Sequence, residues 1–252
     1  MPLEVGDAVR VALKLLEDEG LDKLTVRRLA TELGVKAPAL YWHFRSKRAL
    51  LDHMTDMIVA PVTAGLPEGG PWLKWLEDAA FALHTALLAH RDGARVALGA
   101  DLTVARGGGG GPPPPGGGGA PPGAPPSPRR AGGGGWAAGA GVAGGAHRPG
   151  PRARGALAAR AVGVLHSAGF PLGEATRAAG VLVHFVLGRA VEDQTRLSPS
   201  EEASVIASDS FPFPLMARGL RERAGSTVED DFRYALGVML AGLDAVSRRP
   251  EG

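Results

Sequence analysis

Apolar positions recur at three- and four-residue spacing from the start of the chain. Val5, Ala8, Val9, Ala12, Leu13 and Leu16 trace one face of a first helix. Gly20 stands where a C-terminal cap belongs. Thr25 suits the N-cap of a second, short helix carrying Val26, Leu29, Ala30 and Leu33. Gly34 ends that helix, and Pro38 fits the first turn of a third. The third is very short, because Ser46 is a fresh N-cap ahead of Lys47, Ala49, Leu50 and Leu51.

The helical pattern returns further along. Phe81, Leu83, Leu87 and Leu88 line one segment, and Val181, Leu182, Phe185 and Val186 another, over 173–192. A last helix has Ser226 or Thr227 as its cap, Glu229 and Asp230 in its first turn, and Arg248 and Arg249 at its end. Acid first and base last complements the helix dipole. Its stripe is Val228, Phe232, Leu236, Met239, Leu240 and Leu243. No alternating strand pattern stands out, so the reading is all-α: an N-terminal three-helix domain over 1–64 and a larger helical domain over 65–247.

The second domain is interrupted at about 107–155 by Gly, Pro, Ala and Arg, with glycine runs at Gly107 to Gly111 and Gly116 to Gly119 around Pro112 to Pro115. Such a stretch buries too little apolar area to offset its ordering entropy and reads as a disordered insert. Its glycines are no phosphate loop, since no strand precedes them and no GKS or GKT follows. A natural surface loop fits this composition, and so does an out-of-frame stretch of a GC-rich gene.

Composition narrows the chemistry. Cysteine is absent, which excludes disulfides, thiolate metal sites and cysteine nucleophiles, and fits a reducing cytoplasm. Met1-Pro2-Leu3-Glu4 lacks the layout of a signal peptide, and the apolar stretch around Val181 to Leu187 is too short to span a bilayer. No Ser–His–Asp context, metal cluster or close carboxylate pair stands out, so neither an enzyme nor a cofactor is expected.

The net charge of +2 decides nothing, but its distribution does. Up to Leu24, Glu4, Asp7, Glu17, Asp18, Glu19 and Asp22 outnumber Arg10, Lys14 and Lys23. From Thr25 to Arg48 the sign reverses: Arg27, Arg28, Lys36, Arg45, Lys47 and Arg48 stand against Glu32. Two short helices joined by a glycine-containing turn are a helix-turn-helix, and a basic face over them suits phosphates. Tyr41, Trp42 and His43 add polar-tipped aromatics. A helical bundle with a solvated basic rim, serving as an adaptor for an acidic protein, is the competing reading.

The runs Leu24-Thr25-Val26-Arg27-Arg28-Leu29-Ala30, Leu33-Gly34-Val35, Pro38-Ala39-Leu40-Tyr41-Trp42-His43-Phe44 and Lys47-Arg48-Ala49-Leu50-Leu51-Asp52 closely resemble the tetracycline-repressor (TetR) family. His90-Arg91-Asp92-Gly93-Ala94-Arg95-Val96, His184-Phe185-Val186-Leu187-Gly188 and Glu192-Asp193-Gln194 resemble its sensor domain. The resemblance implies a homodimeric repressor that binds double-stranded, near-palindromic operator DNA and answers to a small molecule. It places the recognition helix at Lys36 to His43, with Arg27, Ala37, Pro38, Ala39 and Trp42 facing base edges and Tyr41, His43 and Lys47 holding the backbone. Ala37 and Ala39 replace longer polar residues of tetracycline-binding members; alanine can touch a thymine methyl but makes no bidentate pair. Arg27 is then the expected direct reader.

The sensor departs from that pattern. The histidine that helps hold drug-bound magnesium in tetracycline-binding members is Ala97 here, and drug-contact positions fall on Ala79 and Leu83. Glu192 matches a residue that approaches the metal through water, and one carboxylate is not a site for a hard cation. The expectation is an apolar effector other than magnesium-tetracycline, without metal, lined by Ala79, Leu83, Ala97, Val183 and Glu192. Each of these residues also fits ordinary helix packing. His84, His90 and His166 read as structural or surface groups, and His184, between Gly180 and Gly188 on one helix face, as a dimer contact.

Overall fold

The computed structural model describes residues 4–100, 153–207 and 211–248. Most of the Gly/Pro-rich insert lies outside these residues, as does Arg249; residues 153–155, assigned above to the insert, open a helix. Eleven α-helices and no strand occur among the described residues.

The first four helices follow the local signals. α1 (Val5–Glu19) turns Ala8, Val9, Ala12, Leu15 and Leu16 inward and ends at Gly20, whose φ of 82° suits a residue without a Cβ. α2 (Val26–Glu32) is capped by Thr25, whose hydroxyl accepts from Arg28 N–H at 3.0 Å. α3 (Ala37–Tyr41) carries proline in its first turn and buries Leu40. α4 (Lys47–Gly65) is capped by Ser46, whose hydroxyl accepts from Ala49 N–H at 3.1 Å. Ala8, Leu16, Leu29, Leu40, Phe44, Leu50 and Met54 form the centre of this head's core.

The bundle contains α5 (Trp72–Leu88), α6 (Gly93–Gly99), α7 (Ala153–Ser167), α8 (Leu172–Gln194), α9 (Pro199–Ala207), α10 (Pro214–Glu222) and α11 (Val228–Ser247). Its core joins α5, α7, α8 and α11 through Leu76, Leu87, Leu165, Ala175, Val186, Phe232 and Leu236. At α11, Thr227 rather than Ser226 is the cap, in a reciprocal pairing with Asp230. The last helical turn ends at Arg248.

α4 is common to both cores. Leu50, Leu51 and Met54 pack in the head, while Ile58, Val59 and Val62 pack in the bundle. The domain border expected at residue 64 therefore lies at the end of a helix whose first half is already head and whose second half is already bundle. α6 is shared as well, with Val96 in the head's core and Ala94 and Ala97 in the bundle's.

Candidate nucleic-acid interface and apolar cavity

α3 is a short helix that runs on into a turn. Lys36 is its extended N-cap, and the amides of His43 and Phe44 both bond to Leu40 O, at 3.0 and 2.8 Å, continuing the turn past Tyr41. Leu40 and Phe44 point into the head. The rest of the segment faces out: Lys36, Pro38, Ala39, Tyr41, Trp42 and His43 are exposed, Trp42 to 87%. Ala37 is half-buried against the head's core, so its methyl is shared between packing and surface. Arg27 is exposed on α2, and its side chain makes no hydrogen bond or ion pair among the described residues.

The remaining cations of the basic face differ in how far they are committed. Arg28 Nε and Nη2 donate to Glu19 Oε1 at 3.0 and 2.5 Å, and Nη1 to Glu32 Oε2 at 2.9 Å. The guanidinium bonds hold the Glu19 carboxyl below its usual range. Arg28 thus braces α2 against α1. Lys47 Nζ donates to Leu21 O at 2.9 Å, although the residue is exposed. α4 opens on Lys47 with no acid in its first turn, and a helix N-terminus of that kind favours an anion.

A polar seam joins head and bundle. His90 Nδ1 lies 2.9 Å from Glu17 Oε1, and Arg91 N–H donates to Glu17 Oε2 at 3.0 Å. The Arg91 guanidinium donates to Glu17 O and Asp18 O at 3.1 and 3.3 Å, at the end of α1. Asp92 Oδ2 accepts from Leu21 N–H at 2.9 Å, and Arg95 bridges Asp92 and Asp22 at 2.9 and 2.8 Å. Burial opposes ionising Asp92, yet the bonds from Leu21 and Arg95 keep its carboxyl below the usual range. Asp92 adopts a φ of 55°, and at Gly93 an added Cβ would sit 2.3 Å from Leu87 O, so the turn requires glycine there. The Gln194 side chain ties α8 to this turn, accepting from Ala94 N–H at 3.1 Å and donating to Leu87 O and His90 O at 3.1 and 2.8 Å.

Inside the bundle an apolar cavity of about 30 Å³ lies between α5, α7 and α8. Ala79, Leu83 and Val183 line it, with Leu76, Leu157, Ala161 and Leu182. Two residues expected with them are elsewhere. Ala97 is buried in the bundle core on α6 but does not border the cavity. Glu192 has a 71% exposed side chain, 3.5 Å from Arg189 Nη1. The phase of α8 explains this: from buried Val186 and Ala190 the inward stripe runs on to Asp193, not to Glu192. A larger groove of about 520 Å³ lies on the surface beside Trp72, Trp75 and Arg160. It is open to solvent, and Arg160 is occupied there with backbone carbonyls.

Asp193 has a 1% exposed side chain and two partners, His84 Nε2 at 2.9 Å and Arg189 Nη2 at 2.6 Å. Asp231 on α11 joins the cluster through Arg189 at 3.9 Å and carries it on to Arg196 at 3.1 Å and Arg223 at 3.5 Å. The His84 ring stacks on Phe232 at 3.9 Å. Burial pushes the His84 imidazole below its ordinary pKa, with Arg189 adding to the effect and Asp193 opposing it. His166 Nδ1 bonds to Phe170 O at 2.9 Å, and His184 lies exposed on α8. Sequence reading gave Asp193 no role, although its place seven residues beyond Val186 is the signal that it faces inward.

Residues 8–54 match the family model for bacterial regulatory proteins, tetR family, and residues 135–247 match that for the tetracyclin repressor-like C-terminal domain. The chain is similar to tetracycline repressor protein class G of Vibrio anguillarum, 46% identical over 99 residues, which are 38% of this chain and 47% of that protein. The chain spans about half the length of the curated relatives it matches. A solved structure of a possible TetR family transcriptional regulator from Streptomyces coelicolor A3(2) is 31% identical, with a TM-score of 0.68, over 96% of this chain and 100% of that one. A variant of TetR from Acinetobacter baumannii AYE in complex with minocycline is 26% identical, with a TM-score of 0.65, over 99% of this chain and 98% of that one. The helix-turn-helix head, the helical bundle behind it and a relative matched along its whole length lead to one assignment: the chain belongs to the tetR family of bacterial regulatory proteins.

Proposed function

We propose that the chain is a ligand-responsive transcriptional repressor, a cytoplasmic homodimer that binds a near-palindromic operator and leaves it when a small apolar molecule enters the bundle. The outward face of α3 carries this reading. A tryptophan 87% exposed beside Lys36, Pro38, Ala39, Tyr41 and His43 has no role in the head's own core and fits a groove of DNA.

In this account Arg27, Ala37, Pro38, Ala39 and Trp42 face base edges, with Arg27 supplying the bidentate contact and Ala39 an apolar one for a thymine methyl. Tyr41, His43, Lys47 and the N-terminus of α4 take phosphates, which places an anion at a helix start that has no acid in its first turn. Lys47 must leave the Leu21 carbonyl to do so. A second copy packs on the exposed faces of α8 and α11, where Val181, His184, Tyr234 and Val238 stand beside Gly188 and Gly237.

The effector follows from the cavity lining. Leucine, alanine and valine side chains offer no oxygen or nitrogen ligand, so magnesium-tetracycline is a poor fit and an apolar, metal-free molecule a good one. A cavity of about 30 Å³ holds only a water-sized group, against roughly 300–1,000 Å³ for ordinary ligand sites. Effector binding must therefore push α5, α7 and α8 apart. Selection of duplexes from a random DNA pool tests the proposal, with an Arg27→Ala, Lys47→Ala variant in parallel. A palindrome recovered by the native chain and lost by the variant is the expected result. No enrichment from a folded dimer would move the acidic-protein adaptor to the front.

A further inference from the structure

α4 spans both cores, so its angle sets where α2 and α3 stand relative to the bundle. α7 meets α4 with two arginines of different character. Arg160 donates to the carbonyls of Thr63, Leu66 and Pro67 at 2.6, 3.1 and 2.8 Å. Carbonyls at a helix end need partners, and any cation in reach serves them. Arg154, in the first turn of α7, meets side chains on the head-proximal half of α4 instead. Its Nη1 lies 2.8 Å from Asp52 Oδ1 and its Nε 3.7 Å from Asp56 Oδ1, and Nη1 also donates to Asp52 O at 3.3 Å. The residue is only 6% exposed.

A buried guanidinium constrains position in a way apolar packing does not. Methyl groups slide over one another at modest cost, whereas a buried charge drawn away from its carboxylates is left uncompensated. The same short stretch of α7 also supplies Leu157, Ala158 and Ala161 to the cavity wall, beginning less than one turn beyond Arg154. A helix turn moves as a unit, so displacing that wall displaces the guanidinium.

We propose that Arg154 is a positioning residue that fixes the angle of α4 through Asp52 and Asp56, and that occupation of the cavity reaches the head by moving it. The second half rests on the effector reading above; the first does not. The native chain contains no cysteine, so spin labels at Thr31→Cys on α2 and Ala159→Cys on α7 report the distance from head to bundle in the full chain without DNA. Diluting labelled with unlabelled chain isolates the distance within one subunit.

The native background gives one narrow distance distribution. Arg154→Leu broadens or shifts it, Arg154→Lys keeps it narrower than leucine does, and Asp52→Asn with Asp56→Asn reproduces the leucine result from the α4 side. The last variant serves if Arg154→Leu folds poorly. With a palindromic operator in hand, Arg154→Leu also loses roughly tenfold of the native preference for one half-site spacing over a spacing changed by one base pair. A narrow, unshifted distribution in both the leucine and the double asparagine variants overturns the positioning role. Ala158→Leu, which fills the cavity, shifts the distribution in the same sense. No shift there, with a clear one for Arg154→Leu, overturns the route from the cavity and leaves the positioning role standing.

Discussion

The head and the bundle treat charge in opposite ways. Among the described residues, the cluster at the centre of the head is formed by apolar side chains, with Thr55 buried beside it on α4, and the cations of its basic face lie at the surface, either braced like Arg28 or left outward like Arg27. The bundle instead packs His84, Asp193 and Arg154 inside, with Asp231 close behind. An apolar core made from local signals holds one rigid shape, which suits the DNA-facing surface proposed for the head. A buried ionic cluster holds its shape only while every partner is in place, which suits the effector response proposed for the bundle.

The contrast predicts unequal costs of mutation. Asp193→Ala removes a buried carboxylate that holds both buried His84 and half-buried Arg189, and should cost about 3 kcal/mol, read as a lowered denaturant midpoint. A loss within experimental error would mean that water or Glu192 replaces the carboxylate freely. In the head, Ser46→Ala removes one cap bond to Ala49 N–H and should cost about 1 kcal/mol. A loss as large as that for Asp193 would show that the two regions do not differ as described.

The smallest effect is the dependence on pH. His84 has a folded-state pKa below its unfolded one because burial disfavours the charged ring. The unfolded chain therefore takes up the proton first as pH falls, and stability present above the unfolded pKa is lost on the way down to the folded one. Between about pH 8 and about pH 6, above the carboxylate range, the native chain should lose melting temperature and His84→Gln should lose less. Parallel curves for the two would contradict the assignment of a buried neutral imidazole.

Legibility in the sequence follows the same division. The head's elements are written in nearest neighbours: Gly20 as terminator, Thr25 and Ser46 as caps, Pro38 in the first turn of α3. Each acts over three or four residues, so the order of the chain is enough to read it. The bundle's chemistry is written across distance. His84 and Asp193 are 109 positions apart, and Arg154 reaches Asp52 across 102. No spacing rule joins them. Glu192 was expected inside because the family pattern pointed to it, while helix phase puts its neighbour there instead. α9 and α10 were not foreseen one by one, since short helices with exposed Val205, Leu215 and Met216 present no continuous buried stripe.

In the proposed complex the head alone reads the operator, and Arg27 is its main direct contact. The most direct test is the affinity of native chain and Arg27→Ala for the selected palindrome and for a scrambled duplex, at one salt concentration, with melting temperatures in parallel. Arg27→Ala should lose about 1–3 kcal/mol on the palindrome, with little change on the scrambled duplex and an unchanged melting temperature. Equal affinity of the two proteins for the palindrome would contradict that role for Arg27.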